Sequence, residues 1–145
     1  MKRKIEITVD TSAQAAFDKL RNLDIYKEFL MFIESIESTE CPNGLDSWIV
    51  ILRAEVGPFE RIKKLRMSRT SESPGTSLTF SRVELDAKNH SNWILNIRFS
   101  SITDNATHIT LQVSYSGKFW TRPLELAFNS HIAEAETRLK NFLNL

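Results

Sequence analysis

Catalysis in this sequence would need a nucleophile with a base, a carboxylate pair or a metal cluster, and the histidines available are His90, His108 and His131, with a single cysteine, Cys41. Their spacing argues against a metal. No His-x-x-x-His or Cys-x-x-Cys pair occurs, so no zinc site is expected. Neither a Gly-x-Ser-x-Gly elbow nor a phosphate loop nor a dinucleotide fingerprint is present, and four glycines leave no room for a hidden one. Nucleotide-dependent chemistry is excluded on this reading, and no cofactor is expected. His131 follows Phe128 by three residues and precedes Ala135 by four, which puts it on the border of an apolar helical stripe. From there it could reach an enclosed space, donate to a ligand carbonyl or act as acid or base. The plainer alternative is a boundary histidine bonded to backbone or water. His90 lies at a turn leading into a strand, and His108 falls on the polar face of its strand. Both read as surface residues.

Arg82 shares a strand phase with Leu78 and Phe80, so it either faces inward, where it needs a carboxylate or a ligand anion, or marks the strand's exposed end. Glu84 continues the phase. Trp48, Trp93 and Tyr115 are expected in the core or in a cavity wall, where each polar N–H or O–H wants a partner. The run from Glu60 to Arg69 is basic, but on a strand its charges divide between two faces. It reads as a solvated or edge strand protected against pairing. A contact with RNA, a ribosome or an acidic protein is the rival reading, and it lacks the interleaved aromatic residues that single-strand stacking requires.

The elements that would position these residues are legible from periodicity. Ile5, Ile7 and Val9 alternate with Lys4, Glu6 and Thr8 as in a half-buried strand. Thr11-Ser12-Ala13-Gln14 reads as a capping box with Thr11 as cap and Gln14 reaching back. The helix that follows buries Ala13, Ala16, Phe17 and Leu20 and stops near Asn22, and a second short helix or helical turn is expected from Asp24 to Leu30. Strands are expected over 32–40, 45–56, 59–71, 76–85, 91–102 and 107–116. The turn-prone clusters between them are Pro42-Asn43-Gly44, Gly57-Pro58, Ser73-Pro74-Gly75, Asp86-Ala87-Lys88-Asn89 and Asp104-Asn105. Connections this short join antiparallel neighbours, whereas parallel pairs need crossovers of a dozen or more residues. The result is a six-stranded meander.

Within it, Trp48, Val50, Leu52 and Ala54 share a face, as do Trp93, Leu95, Ile97 and Phe99, and Ile109, Leu111, Val113 and Tyr115. A sheet apolar on one side must bury that side. The partner is the last stretch, residues 121–145. There Leu124, Phe128, Ile132, Ala135, Leu139 and Phe142 recur at helical spacing, with Pro123 in the first turn and Thr121 or Arg122 at the cap.

Bulk properties fit one soluble globular domain spanning 1–145. The chain has 145 residues, 41% hydrophobic and 26% charged, with a net charge of +1. That charge gives no global reason to expect DNA or an anionic membrane. Cys41 is alone, so a reducing, cytoplasmic setting is expected. The charged start, Met1 to Glu6, lacks an apolar h-region and does not read as a secretory signal. The longest apolar run, Trp48 to Leu52, is far short of the ~20 residues of a membrane span.

The order of strand, two short helices, six-stranded meander and long C-terminal helix resembles the helix-grip fold of the START-like superfamily. That superfamily takes in polyketide cyclases and aromatases, plant lipid-binding allergens and coenzyme Q-binding proteins. The stretch from Val9 to Leu20 looks like the superfamily's first strand-to-helix junction. Asp24-Ile25-Tyr26-Lys27-Glu28-Phe29-Leu30 is similar to the opening of the second helix in the coenzyme Q-binding branch, although Met31 stands where that branch usually has proline. The stretch from Glu84 to Trp93, and Tyr115-Ser116-Gly117-Lys118-Phe119-Trp120 followed by Leu124-Glu125, look more like small bacterial proteins of the cyclase/dehydrase branch.

The resemblance implies an α+β fold in which a seven-stranded curved antiparallel sheet wraps a long C-terminal helix. It also implies a cavity between that helix and the sheet for a lipid, quinone or polyketide-like molecule. Residues expected to touch such a ligand are Trp48, Leu52, Phe80, Arg82, Trp93, Leu95, Tyr115, Phe128 and His131. His131 is the one weak catalytic candidate should the protein be a cyclase or dehydrase. Composition alone leaves open whether the aromatic rings fill this space or line it.

Overall fold

A computed structural model describes residues 1–56, 58–118 and 121–144, with the side chains of 56, 121 and 124 left out. The element order is β1 (Lys2–Val9), α1 (Ala13–Leu20), a 3₁₀ helix (Leu23–Glu28), β2 (Ile33–Thr39), β3 (Ser47–Val56), β4 (Phe59–Ser73), β5 (Ser77–Arg82), β6 (Trp93–Thr103), β7 (Ala106–Tyr115) and α2 (Thr121–Leu143). The strands form one sheet in the order β1-β7-β6-β5-β4-β3-β2, every neighbouring pair antiparallel. Six strands therefore follow one another as a meander, and the first strand joins the free side of the last. This is the helix-grip architecture: a curved antiparallel sheet holding a long C-terminal helix against its concave face.

Alternation dictates that face. Trp48, Val50, Leu52 and Ala54 of β3 are buried, as are Trp93, Leu95, Ile97 and Phe99 of β6 and Ile109, Leu111, Val113 and Tyr115 of β7. Ile5, Ile7 and Val9 of β1 extend the same surface. On α2, Phe128, Ala135, Leu139 and Leu143 are buried, while Ile132 and Phe142 are partly buried against the core. At a rise of 1.5 Å per residue the helix is about 35 Å long. It packs mainly against β1 and β3.

Several local details differ from or refine the expectation, among them β5, which ends at Arg82 and not at 85. The cap of α1 is Ser12, not Thr11: its Oγ accepts from Ala15 N at 3.1 Å, while Gln14 Nε2 donates forward to Asp18 at 2.9 Å. Ser and Thr are nearly equivalent caps, and Thr11 is engaged otherwise, its carbonyl accepting from Thr107 Oγ1. The second helix is a six-residue 3₁₀ helix capped by Asn22, whose side chain accepts from Asp24 N. In the 86–89 turn the left-handed residue is Ala87 at φ 57°, held by Asp86 Oδ1 accepting from Lys88 N and bonding His90 Nε2. Gly57, Phe119 and Trp120, which figured in a turn and in the family resemblance, lie outside the described residues, as does the side chain of Leu124.

Candidate functional site

The concave face is packed closely except near its centre. There a void of about 40 Å³ is lined by Leu23, Leu30, Phe32, Ile33, Val50, Leu52, Leu65, Met67, Trp93, Ile94, Leu95 and Val113. Every one of these side chains is apolar apart from the indole N–H. The lining comes from the sheet and from the segment between α1 and β2; no described side chain of α2 contributes. Leu23 of the 3₁₀ helix and Leu30 and Phe32 of the segment after it thus cover the void.

Phe32 lines this void. It also borders a slit of about 10 Å³ beneath α2, shared with Phe128, Ile132 and Ala135. Beyond the slit it borders an open groove of about 600 Å³ between the β2–β3 edge and the first turns of α2. The Phe32 ring packs on Phe128 with centroids 5.2 Å apart. Among the described residues Phe32 is therefore the one side chain common to the void, the slit and the groove.

The other large rings are mutually packed. Phe80, fully buried, meets Tyr26 edge-on at 5.6 Å and Trp48 at 5.7 Å. Tyr26 donates its hydroxyl to the Leu20 carbonyl at 2.8 Å, and burial pushes its pKa well above the usual tyrosine value. Trp93 stacks on Tyr115 at 4.5 Å. Gly117 keeps that corner open, because a Cβ there would stand 2.0 Å from Tyr115 Oη.

Charged groups gather at one end of the concave face. Arg82 is inward, its side chain 8% exposed. It donates Nε to Glu84 Oε1 at 3.0 Å and Nη1 to the Ser91 carbonyl at 3.4 Å. Glu84 Oε1 also accepts from Arg66 N at 2.8 Å. Lys63, opposite Leu52 in the β3–β4 ladder, is half-buried, and its pKa is lowered, first by burial and then by the nearby Arg82 charge. Arg66 points to the other side of β4, buried, with its guanidinium on Ser68 Oγ and the carbonyls of Val83 and Glu40. The basic run is accordingly divided between two faces.

Of the residues expected at a ligand site, Leu52, Trp93 and Leu95 line the void. Tyr115 backs Trp93, and Phe128 backs Phe32. Trp48 and Phe80 sit in the adjoining aromatic cluster and do not border the void, and Arg82 stands at its charged end with Glu84 as partner. His131 does not line the void, though it borders the slit beneath α2 as well as the groove. Its side chain is 47% exposed at the rim of the groove, with Nδ1 3.8 Å from Glu134, because its position on α2 turns it past the apolar stripe toward solvent. His90 pairs with Asp86 at 2.9 Å and His108 lies 3.9 Å from Glu6, both on the surface.

Sequence reasoning missed Phe32, Leu65, Met67 and Lys63. The alternation of Lys63, Leu65 and Met67 was the available signal, overshadowed by the density of charge around them. Among the described residues no cluster of His, Cys, Asp or Glu could hold a metal, and no helix is long and apolar enough to cross a membrane.

No protein-family model matches the sequence, and no curated protein matches it significantly. Solved structures do match along the whole chain. A conserved protein from Geobacillus kaustophilus is similar with a TM-score of 0.68 at 16% identity, over 99% of this chain and 95% of that one. A START superfamily protein from Mycobacterium smegmatis gives 0.63 at 12% identity, over 97% of each chain. The Zhui aromatase/cyclase of a Streptomyces species gives 0.59 at 13% identity, over 99% of this chain and 92% of that one. At these identities the likeness is one of fold: the chain has the START-like helix-grip fold that polyketide aromatase/cyclases also have.

Proposed function

We propose that the protein binds a small hydrophobic molecule, lipid-, quinone- or polyketide-like, in the space enclosed by the concave sheet, the 3₁₀ segment and α2. The observation that carries this reading is the wholly apolar void on the concave face, which shares Phe32 in its lining with a large outer groove. At about 40 Å³ the void has room for only a few atoms. Entry of a ligand therefore swings Phe32 aside and joins the void to the groove. Separating Phe32 from Phe128 forfeits an aromatic contact worth about 0.5–1.5 kcal/mol. Burying about 200 Å² of apolar ligand returns about 5 kcal/mol at 25 cal/mol per Å².

A binding role has more support than catalysis. The lining offers no titratable side chain, so a cyclase or dehydrase reaction would rest on proximity alone. His131, at the groove rim, is the sole histidine near the path, and it serves at most a ligand lying partly outside. A role in contacting RNA or an acidic protein through β4 draws less support, because Arg66 is buried on intramolecular acceptors and Lys63 faces inward. The lone exposed Cys41 suits a reducing, cytoplasmic setting.

Native mass spectrometry of the purified protein tests the reading and is expected to show a co-purified hydrophobic molecule. Titration with phenylnaphthylamine, a neutral apolar fluorophore, extends the test to Phe32→Ala, which should bind the probe more tightly. Equal, negligible binding by wild type and Phe32→Ala would overturn the proposal.

A further inference from the structure

The binding reading leaves the polar end of the ligand unspecified, and the charged end of the concave face specifies it. Directly opposed residues in an antiparallel ladder share a face. Lys63 opposes Leu52 and Arg82 opposes Met67, and both apolar partners line the void. Two cations therefore stand on the concave surface, each one strand away from the wall of the apolar space. Lys64, the next residue along, is exposed on the other face.

The charges at this end do not cancel. Glu84 is the acid that faces both cations. Its Oε1 is held by Arg82 Nε at 3.0 Å and by the Arg66 backbone N–H at 2.8 Å. Among the described residues Lys63 makes no hydrogen bond or ion pair. The cluster of Lys63, Arg82 and Glu84 thus carries one surplus positive charge beside an apolar space. Arg82, with five N–H donors, spends two of its nitrogens on Glu84 and Ser91 and keeps Nη2 for another acceptor. An isolated cation on a partly dehydrated surface is unfavourable unless an anion arrives. Burial and the adjacent Arg82 charge depress the pKa of Lys63, and Glu84, already held by Arg82, opposes them only in part.

We infer that the ligand is an amphipathic anion: an apolar body seated behind Phe32, with a carboxylate or similar single anionic group held by Lys63 and Arg82. This rests on the hydrophobic-binding reading above and narrows it to a chemical class. A charge-assisted pair on a largely desolvated surface distinguishes an anion from its neutral analogue by roughly tenfold or more.

Two probes that share a skeleton separate the two claims. Anilinonaphthalene sulfonate is an anion, and phenylnaphthylamine is the same ring system without the sulfonate. Both are titrated by fluorescence into the full-length protein and into Lys63→Met, Lys63→Glu and Lys64→Met, each variant first checked for a cooperative thermal transition. The wild type is expected to prefer the anion by roughly tenfold or more. Lys63→Met should abolish that preference while keeping the neutral probe's affinity, Lys63→Glu should reverse it, and Lys64→Met should leave it intact. Equal affinity of the wild type for both probes overturns the inference and spares the binding reading. A preference that survives Lys63→Glu, or disappears equally in Lys64→Met, overturns it too. Failure of the wild type to bind either probe overturns both claims together.

Discussion

Replacing Val113 with isoleucine tests whether the central void is real space. Val113 is 4% exposed on β7, opposes Leu95, and borders the void of about 40 Å³. The substitution adds one methylene and retains β-branching, so the strand itself is not disfavoured. Cavity volume costs about 24 cal/mol per Å³, so eliminating all of this void is worth about 1 kcal/mol. Transferring one methylene from water gives a similar figure, about 0.8 kcal/mol. For a domain of this size that corresponds to a rise in Tm of roughly 3 °C. The same methylene obstructs the ligand. An overpacked site costs about 1–3 kcal/mol, and affinity for phenylnaphthylamine should fall by roughly tenfold. Circular dichroism melts and fluorescence titration read the two effects on the same samples. A Tm lowered by several degrees would mean that the wall has no free space and would sink the reasoning. A higher Tm with undiminished affinity would place the probe elsewhere.

Further outcomes follow from other contacts. Lys63→Met should raise apo stability, by less than about 1 kcal/mol because the group is only half-buried and screened. The folded pKa of Lys63 lies below its unfolded value, so its contribution is favourable only above the unfolded pKa and is lost as pH falls through the folded one. Thermal melts of the variant and wild type should therefore differ at neutral pH and converge toward alkaline pH. Gly117→Ala should destabilise by about 1–3 kcal/mol and alter Trp93 fluorescence, since the new Cβ displaces Tyr115; an unchanged spectrum would contradict the packing. Arg66→Leu leaves the Val83 and Glu40 carbonyls without their donor and should cost about 1–3 kcal/mol in urea unfolding. Arg21→Gln should return the Glu72 carboxyl, now held low mainly by its hydrogen bond from Arg21, toward its ordinary pKa. The pair's small contribution, present above the unfolded pKa and lost as pH falls through the folded one, should vanish with it in an NMR titration.

The sheet was legible because strict alternation has one physical solution. Trp48 through Ala54, or Trp93 through Phe99, must face one way once short turns impose antiparallel neighbours. The long helix was legible for the same reason at a different period, with its buried end shifted by one: Leu143 is buried and Phe142 half-buried. What sequence conveyed poorly was where space remains. Phe32 sits at a junction between the 3₁₀ helix and β2, so no periodicity announces that it borders void, slit and groove. The direction of His131 depended on a single step around α2, finer than a stripe defines. Lys63 was obscured because a basic run looks solvated, although alternation alone places it with Leu65 and Met67.

The pairing of the first strand with the last carries a consequence for how the molecule is made. Lys2 meets Ser114 and Val9 meets Thr107, so β1 has no partner until nearly the whole meander has been synthesised. At about 5–20 residues per second that interval lasts several seconds, during which Ile5, Ile7 and Val9 are unpaired. The 23 residues of α2 emerge later still and cover the concave face last. Contacts this remote in sequence slow folding. The apolar inner face of the sheet therefore stays uncovered until the residues of α2 have been made.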